Sequence, residues 1–466
     1  MALVHLNKRK LFTTTASEIT SEVVSEAVRL HKSRLLPNYI DNEDMYMSDH
    51  DILHIPRKEP WKPDNRLVVN YAKYIVDTFS GYQIGVPAKI THEDERVQQF
   101  IQDFRDRNDM EDSEFELAKI SDIFGHAFLY LYQDEEGQTR CTYNSPVNML
   151  IVHDSSIEER PLFAVRYAFN QDEQTGYGQV ITGSEIIEAE FQLDGSCTFK
   201  SRESHIYASL PVVELIENEE RQGIFDSVKT LINALNKSAS EKANDVDYFA
   251  DAYLKVLGVE IDSEDAMNIR DNRIFNLWKN SPDGTLPDVA FLDKPNSDTT
   301  QENLIHLLKE SIFAISMVAN MSETDFGNAS GTALAFKLQA MDNLAKMKDR
   351  KMQSAFNRLY KVVFSVPKTG IYEDAWIEID YKFTRNVPRN ILEEAQIVSQ
   401  LSGQVSDETK LSVLSIVNNP QEELEKMDKE QEHSSLLDRQ MEINERFSDQ
   451  AINPIEDKEV IVDVEE

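Results

Sequence analysis

Apolar positions recur every three or four residues over two long stretches late in the chain. Leu304, Leu307, Leu308, Ile312, Ile315 and Val318 trace one helix face, opening just after the cap-like run Asp298-Thr299-Thr300. Leu334, Leu338, Met341, Ala345, Met352, Phe356, Leu359 and Val363 trace a second face from Gly331 onward, with Ser330 placed as N-cap. Between them runs a polar loop, Ser322 to Gly331, in which Gly327, Asn328, Ser330 and Gly331 tolerate turns and left-handed backbone. Such a segment changes shape at low cost, or serves as an ordinary helix-to-helix turn.

The earlier pattern alternates between both periods. Val68, Val69, Ala72, Ile75, Val76 and Phe79 predict a helix stopped by Gly81, Gly85 and Pro87. Ser17 to Leu30 predicts another, and Tyr39 to Asp51 reads as an acidic loop. Thr91 is placed to cap a helix through Val97, Phe100, Ile101 and Phe104, with Glu93, Asp94 and Glu95 in its first turn; Glu114 to Phe124 continues in a helix closed by Gly125. A β region follows. Residues 128–132 and 140–143 flank Asp134-Glu135-Glu136-Gly137 as a hairpin, and Glu188 to Leu193 and Ser196 to Ser201 flank Asp194-Gly195. With Phe163 to Ala168 and Gln179 to Thr182 these predict an antiparallel sheet.

Gly223 to Val256 is apolar on one face at each end, but its middle, Asn236 to Asn244, nearly lacks large apolar residues. That suits a wall between identical neighbours with water nearby, or a broken pair of helices. Gly258 to Asn296 turns irregular, Trp376 to Phe383 alternates as a strand, helices follow to about Leu437, and the ending IEDKEVIVDVEE reads as a mobile tail.

Composition narrows the classes. The 466 residues, 41% hydrophobic and 28% charged, suffice for a sizeable core in several domains. There is no apolar run of membrane-spanning length, and the opening MALVHLNKRKLFTTTASE lacks the apolar centre of a signal peptide. Cys141 and Cys197, the two cysteines, are far apart and imply neither a thiolate metal cluster nor a disulfide framework. His50, Asp51 and His54 lack the spacing of a known metal site. P-loop, HExxH and GxSxG signatures are missing, and Glu135-Glu136 and Glu219-Glu220 are adjacent, so their side chains diverge. No enzyme, cofactor or metal is indicated.

The net charge of −35 argues against tight DNA binding, because phosphate contacts from Lys and Arg supply most non-specific affinity. The charge is uneven. Gly331 to Val363 holds seven Lys or Arg against Asp342 and Asp349, whereas Ile391 to Glu466 holds twenty acidic residues against six basic ones. The basic island, with Lys337, Lys346, Lys348, Arg350 and Lys351 at its centre, reads as a DNA-facing or subunit-bridging patch, or as a solvated face paired with acidic neighbours.

Three blocks in order resemble portal proteins, the head-tail connectors of tailed double-stranded DNA phages, in the branch found in long-tailed phages of Gram-positive bacteria. NYAKYIVDTFSGYQIGVP, Asn70 to Pro87, resembles the family's early helix and its exit. Asn218 to Gly258, opening Asn-Glu-Glu-Arg-Gln-Gly, resembles the entry into the ring's stem. Asn328-Ala329-Ser330-Gly331-Thr332-Ala333-Leu334 resembles the run that opens the long helix after the tunnel loop, with Ala329 where a polar residue is usual.

The resemblance implies a mainly helical α+β subunit of a closed ring of about twelve copies, with crown, wing, stem and clip regions. It divides the chain into an N-terminal extension (1–60), wing (61–220), stem helix (221–257), clip (258–297), second stem helix (298–321), tunnel loop (322–331), long helix (332–366), wing strand (367–387), crown helices (388–437) and acidic tail (438–466). Ser322, Thr324, Asp325, Asn328, Ser330 and Gly331 would form the DNA-channel loop, Gly331 being the hinge. The implied partners are the terminase large subunit, scaffold protein, major capsid protein, head-completion or tail adaptor and DNA in transit, with no membrane. The location is the capsid portal vertex, after assembly in the host cytoplasm. The alternatives are a non-ring helical scaffold or adaptor, and a metal-dependent nuclease.

Overall fold

The computed structural model describes residues 3–60, 62–169, 175–250, 254–257, 288–291, 298–321, 331–387 and 391–414, with scattered positions from 416 to 429. The channel-loop residues Ser322, Thr324, Asp325, Asn328 and Ser330 lie outside them, as do most of the 258–297 stretch and the acidic tail. Two compact units are present, Met1–Asn386 and Val387–Glu466.

The first unit is α+β. Strands β1 (Val4–Leu6) and β2 (Phe12–Thr14) precede α1 (Ser21–Leu30), which passes through a π-helical turn, His31–Leu35, into α2 (Leu36–Tyr46). Then come α3 (Asp51–His54), α4 (Tyr71–Ile84), β3 (Lys89–Thr91), α5 (Glu95–Arg107) and α6 (Met110–Phe124). Strands β4 (His126–Gln133), β5 (Thr139–Asn144), β6 (Met149–Asp154), β7 (Pro161–Phe169), β8 (Thr175–Ile181), β9 (Glu185–Gln192), β10 (Cys197–Ser204) and β11 (Val212–Ile216) follow. Next are α7 (Lys229–Ala250), β12 (Leu254–Leu257), β13 (Asp288–Phe291), α8 (Asp298–Ser316), α9 (Gly331–Phe364) and β14 (Asp380–Lys382). The second unit holds α10 (Ile391–Leu401) and α11 (Asp407–Val413), the latter capped by the Ser406 side chain.

The strands separate into distinct sheets. A seven-stranded sheet runs β1-β2-β6-β7-β8-β9-β10, and a three-stranded sheet runs β11-β4-β5. The turn chemistry of both predicted hairpins holds, since β4–β5 and β9–β10 pair antiparallel. The single predicted sheet does not, and β2 enters parallel to β6. Strand β4 explains the division. Ala127, Leu129 and Leu131 face a core made with α5, α6 and α9, while Phe128 and Tyr130 face Met149, Ile151 and Ala164 of the larger sheet. A strand buried on both faces reads as the unbroken apolar run seen in this sequence. The distal half of α9 supplies Met352, Phe356, Leu359, Tyr360 and Val363 to the first core.

Local chemistry sets the helix ends. Asp94, not Thr91, caps α5, accepting from the N–H groups of Arg96 and Val97, because Thr91 is already in strand β3. Gly125 ends α6 at φ 91°, and a Cβ there would come within 2.2 Å of the Arg221 carbonyl oxygen. Only glycine meets both demands.

Several sequence expectations change. Most of the acidic stretch Tyr39 to Asp51 is helix, ending α2, because Tyr39 and Met45 are buried. The stretch to Val256 is not one helix, since Leu254–Leu257 is a strand paired with Asp288–Phe291. Trp376 to Phe383 is a 3-10 turn, Glu373–Glu378, before the short β14 pairs with β3. On α8, Leu308, Ile312 and Phe313 are buried, but Leu304, Leu307 and Ile315 stay exposed.

The polar middle of α7 has a partner within the unit. The N–H groups of Asn65, Leu67 and Val69 donate to Asn244 Oδ1 (2.6 Å), Ser240 Oγ (2.8 Å) and Asn236 Oδ1 (2.8 Å). Two residues of extended chain advance about 6.6 Å and four of helix about 6 Å, so the two repeats stay in register. Asn236, Ser240 and Asn244 are buried accordingly, serving as an acceptor ladder for a backbone that lacks a partner strand.

Candidate functional site

Gly331 opens α9, and the basic island lies along that helix. One residue advances a helix by about 100°, so basic residues two apart point to nearly opposite sides. Lys346 is exposed and pairs with Asp342 at 2.7 Å, Lys337 is exposed, and Arg350 is exposed. Lys351 pairs with Glu219. Lys348 is 1% exposed and belongs to the interior. The island is therefore not one surface, and Lys348 is excluded from contact with DNA.

Lys348 is the centre of a buried polar cluster that joins four elements. Its ammonium pairs with Asp122 of α6 and with Glu217 at 2.9 Å, and donates to the Ala118 carbonyl at 2.9 Å. Ser80 of α4 donates to the other Asp122 oxygen at 2.6 Å. The Phe79 ring lies 5.4 Å from the ammonium. Burial opposes charge on both sides of the pair. It pushes the Asp122 carboxyl up, against the pull of Lys348, while Asp122 and Glu217 together overcome burial and hold the Lys348 ammonium above its ordinary value.

A second clamp lies nearby on the same helix. Arg385 reaches Asp349 at 2.6 Å and Asp342 at 3.2 Å, and Gln83 of α4 donates to Asp349 at 2.9 Å. Both clamps tie α9 to α4. Helix α4 also holds the end of α8, where Tyr71 and Tyr74 pack on Phe313 with ring centroids 5.0 and 5.6 Å apart and the Met321 N–H donates to the Tyr74 hydroxyl at 2.8 Å. The end of α8 before residues 322–330 and the middle of α9 after them thus share one support. Sequence reasoning missed the cluster, because Ser80, Asp122, Glu217 and Lys348 are remote in sequence and each reads as a surface residue; the one available signal was apolar Met341, Ala345 and Met352 around Lys348 on the predicted buried face.

The Asn218-Glu-Glu-Arg-Gln-Gly block has a structural account. Asn218 bonds both backbone groups of Gln222, at 2.8 and 2.9 Å. Arg221, at φ 53°, clasps Glu214 with two hydrogen bonds of 2.7 and 2.9 Å. A Cβ on Gly223 would meet the Ile123 carbonyl oxygen at 2.3 Å. The motif folds a tight return that delivers Glu217 and Glu219 to α9.

The two cysteine thiols are held in their neutral form. Burial pushes both thiols, Cys141 and Cys197, up to about 12, which suppresses the thiolate. Among the described residues no three His, Cys, Asp or Glu side chains are grouped to hold a metal. His50 bonds Asn236 at 2.9 Å and His54 bonds Asp49 at 2.6 Å, so these histidines serve local packing.

Known proteins give this geometry its context. The chain is 24% identical over 393 residues to the portal protein of Bacillus phage SPP1, spanning 79% of this chain and 76% of that one. It is 21% identical over 409 residues to the portal protein of Clostridium phage phiCD119, spanning 83% and 89%. Among solved structures it is similar to chains from the neck of an empty GTA particle computed with C6 symmetry (12% identity, 73% of this chain and 89% of that chain, TM-score 0.42) and of a native GTA particle computed with C12 symmetry (11%, 81% and 93%, TM-score 0.43). The family described as phage portal protein, SPP1 Gp6-like, matches residues 26–435, and the chain belongs to that family.

Proposed function

We propose that this phage portal protein is the subunit of a ring of about twelve copies at one capsid vertex, the conduit through which double-stranded DNA is packaged and ejected. The observation that carries the reading is the family match across residues 26–435. Supporting it, Val246, Leu307, Ile315 and Phe336 are 58, 58, 52 and 72% exposed on α7, α8 and the first turns of α9. Apolar side chains of that size facing water suit heterologous contacts between copies.

In this reading α7 and α8 form the stem, the sheets and α4 to α6 the wing, the 258–297 stretch the clip, and α10 and α11 the crown. Ser322, Thr324, Asp325, Asn328 and Ser330 project into the channel toward DNA, with Gly331 as hinge. The buried Lys348 cluster and the Arg385 clamp make α9 a rigid lever, carrying a loop displacement outward to the wing. The clip docks the terminase large subunit during packaging and a head-completion or tail adaptor afterwards; scaffold protein and major capsid protein meet the ring as it nucleates the procapsid in the host cytoplasm. The subunit performs no chemistry of its own. Packaging energy comes from the terminase.

Native mass spectrometry of the purified chain tests the assembly. The reading expects a dominant species near twelve times the 53.5 kDa subunit. A monomer that scaffold protein fails to assemble supports the non-ring adaptor instead.

A further inference from the structure

A groove of about 750 Å³ runs between α9 and β11. One wall is a single helix face, Leu344, Met347, Arg350, Lys351, Ser354 and Arg358; the other is Val212, Ile216 and the turn from Glu217 to Arg221. The acidic side chains in the groove are already matched within the unit. Glu214 is clasped by Arg221, Glu217 by Lys348 and Glu219 by Lys351. Arg350, exposed, and Arg358, half-buried, have no carboxylate partner among the described residues. The groove is thus left with two surplus guanidinium groups beside the apolar surface of Leu344, Met347 and Ile216.

An unpaired, half-buried guanidinium is costly, and a carboxylate relieves that cost with two parallel hydrogen bonds. Burial alone makes Arg358 a weaker base than a free arginine. Arg350 and Arg358 are eight residues apart on the helix, about 12 Å. Four residues of extended chain cover about 13 Å, with the first, third and fifth side chains on one face.

We propose that this groove is a docking site for an extended acidic peptide segment of a partner protein. Two of its carboxylates, four residues apart, reach Arg350 and Arg358, and an apolar side chain two residues beyond the Arg350-bound carboxylate, on the side away from Arg358, lies on Leu344 and Met347. Duplex DNA fits the same charges poorly, because the site is a concave slot of side-chain dimensions whose opposite wall presents Glu217 and Glu219. The proposal goes beyond ring assembly and does not depend on it.

The test is fluorescence anisotropy with the full-length chain and a labelled peptide, Glu-Ser-Val-Ser-Glu-Ser-Val-Ser-Glu. Its Gln-for-Glu counterpart and a short DNA duplex serve as competitors. The expected result is saturable, salt-sensitive binding of the acidic peptide only. Arg350→Gln and Arg358→Gln should each weaken it about tenfold, with Arg358→Lys intermediate because it keeps charge but loses the fork. Arg350 is exposed, so its variant keeps the test valid if Arg358→Gln alters folding. No binding, equal binding of the Gln peptide, indifference to Arg350→Gln, or displacement by DNA at lower concentration than by peptide would each overturn the proposal.

Discussion

Replacing Lys348 by methionine removes the one cation from a pocket in which the Asp122 and Glu217 side chains are 0 and 3% exposed. The chain is left with two buried carboxyl groups that repel each other. Breaking a buried, hydrogen-bonded ion pair from one side costs about 3–5 kcal/mol. Unfolding a unit the size of Met1–Asn386 releases roughly 0.8 kcal/mol/K, at about 2.1 cal/mol/K per residue, so Lys348→Met should lower its melting temperature by about 4–6 °C. Removing the whole cluster, as Lys348→Met with Asp122→Asn and Glu217→Gln, should restore most of the loss, since no buried charge then stands alone. Scanning calorimetry of the three proteins at neutral pH reads the difference. A single variant that melts within about 1 °C of the parent, or a triple variant that melts lower than the single, refutes the reasoning.

Further outcomes follow from other parts of the structure. Gly331→Val should leave rings assembled but block DNA packaging in vitro, because a β-branched residue restricts the backbone the loop uses; normal packaging removes the hinge role. Asn236→Leu leaves the half-buried Val69 N–H without its acceptor, at a cost of about 1 kcal/mol, and limited proteolysis should then cut within 62–70 faster than in the parent. Burial holds His31 at about 4 against an ordinary 6.5, so the unfolded chain takes up a proton that the folded one refuses. The stability is complete above pH 6.5 and is lost as pH falls toward 4, about 3 kcal/mol in all. Denaturant melts at pH 7 and 5 should show about 2 kcal/mol of that loss, and less in His31→Gln; equal pH slopes for both proteins contradict it.

What the sequence made legible was whatever depends on local period and turn chemistry. The α9 face, the Asp194-Gly195 hairpin and the Gly125 stop each follow from neighbouring residues. The hidden parts depend on remote partners. Strands β1 and β2 are three residues each, too short for a period to show, and exist because β6 offers β2 an edge. The polar centre of α7 reads as water-facing until a backbone with N–H groups to satisfy is laid on it. Lys348 reads as one member of a basic surface until Asp122 and Glu217 arrive from α6 and the Asn218 turn. Lys346, Lys348 and Lys351 thus carry ion pairs within the unit, whereas Arg350 has no carboxylate partner among the described residues.

The central claim is that this chain closes into a ring around a DNA-sized channel. Single-particle electron microscopy of the purified full-length protein tests it most directly, by counting subunits in top views. The account predicts closed rings of about twelve copies with an open axial channel wide enough for duplex DNA. Compact monomers or open filaments, persisting after scaffold protein is added, would contradict it.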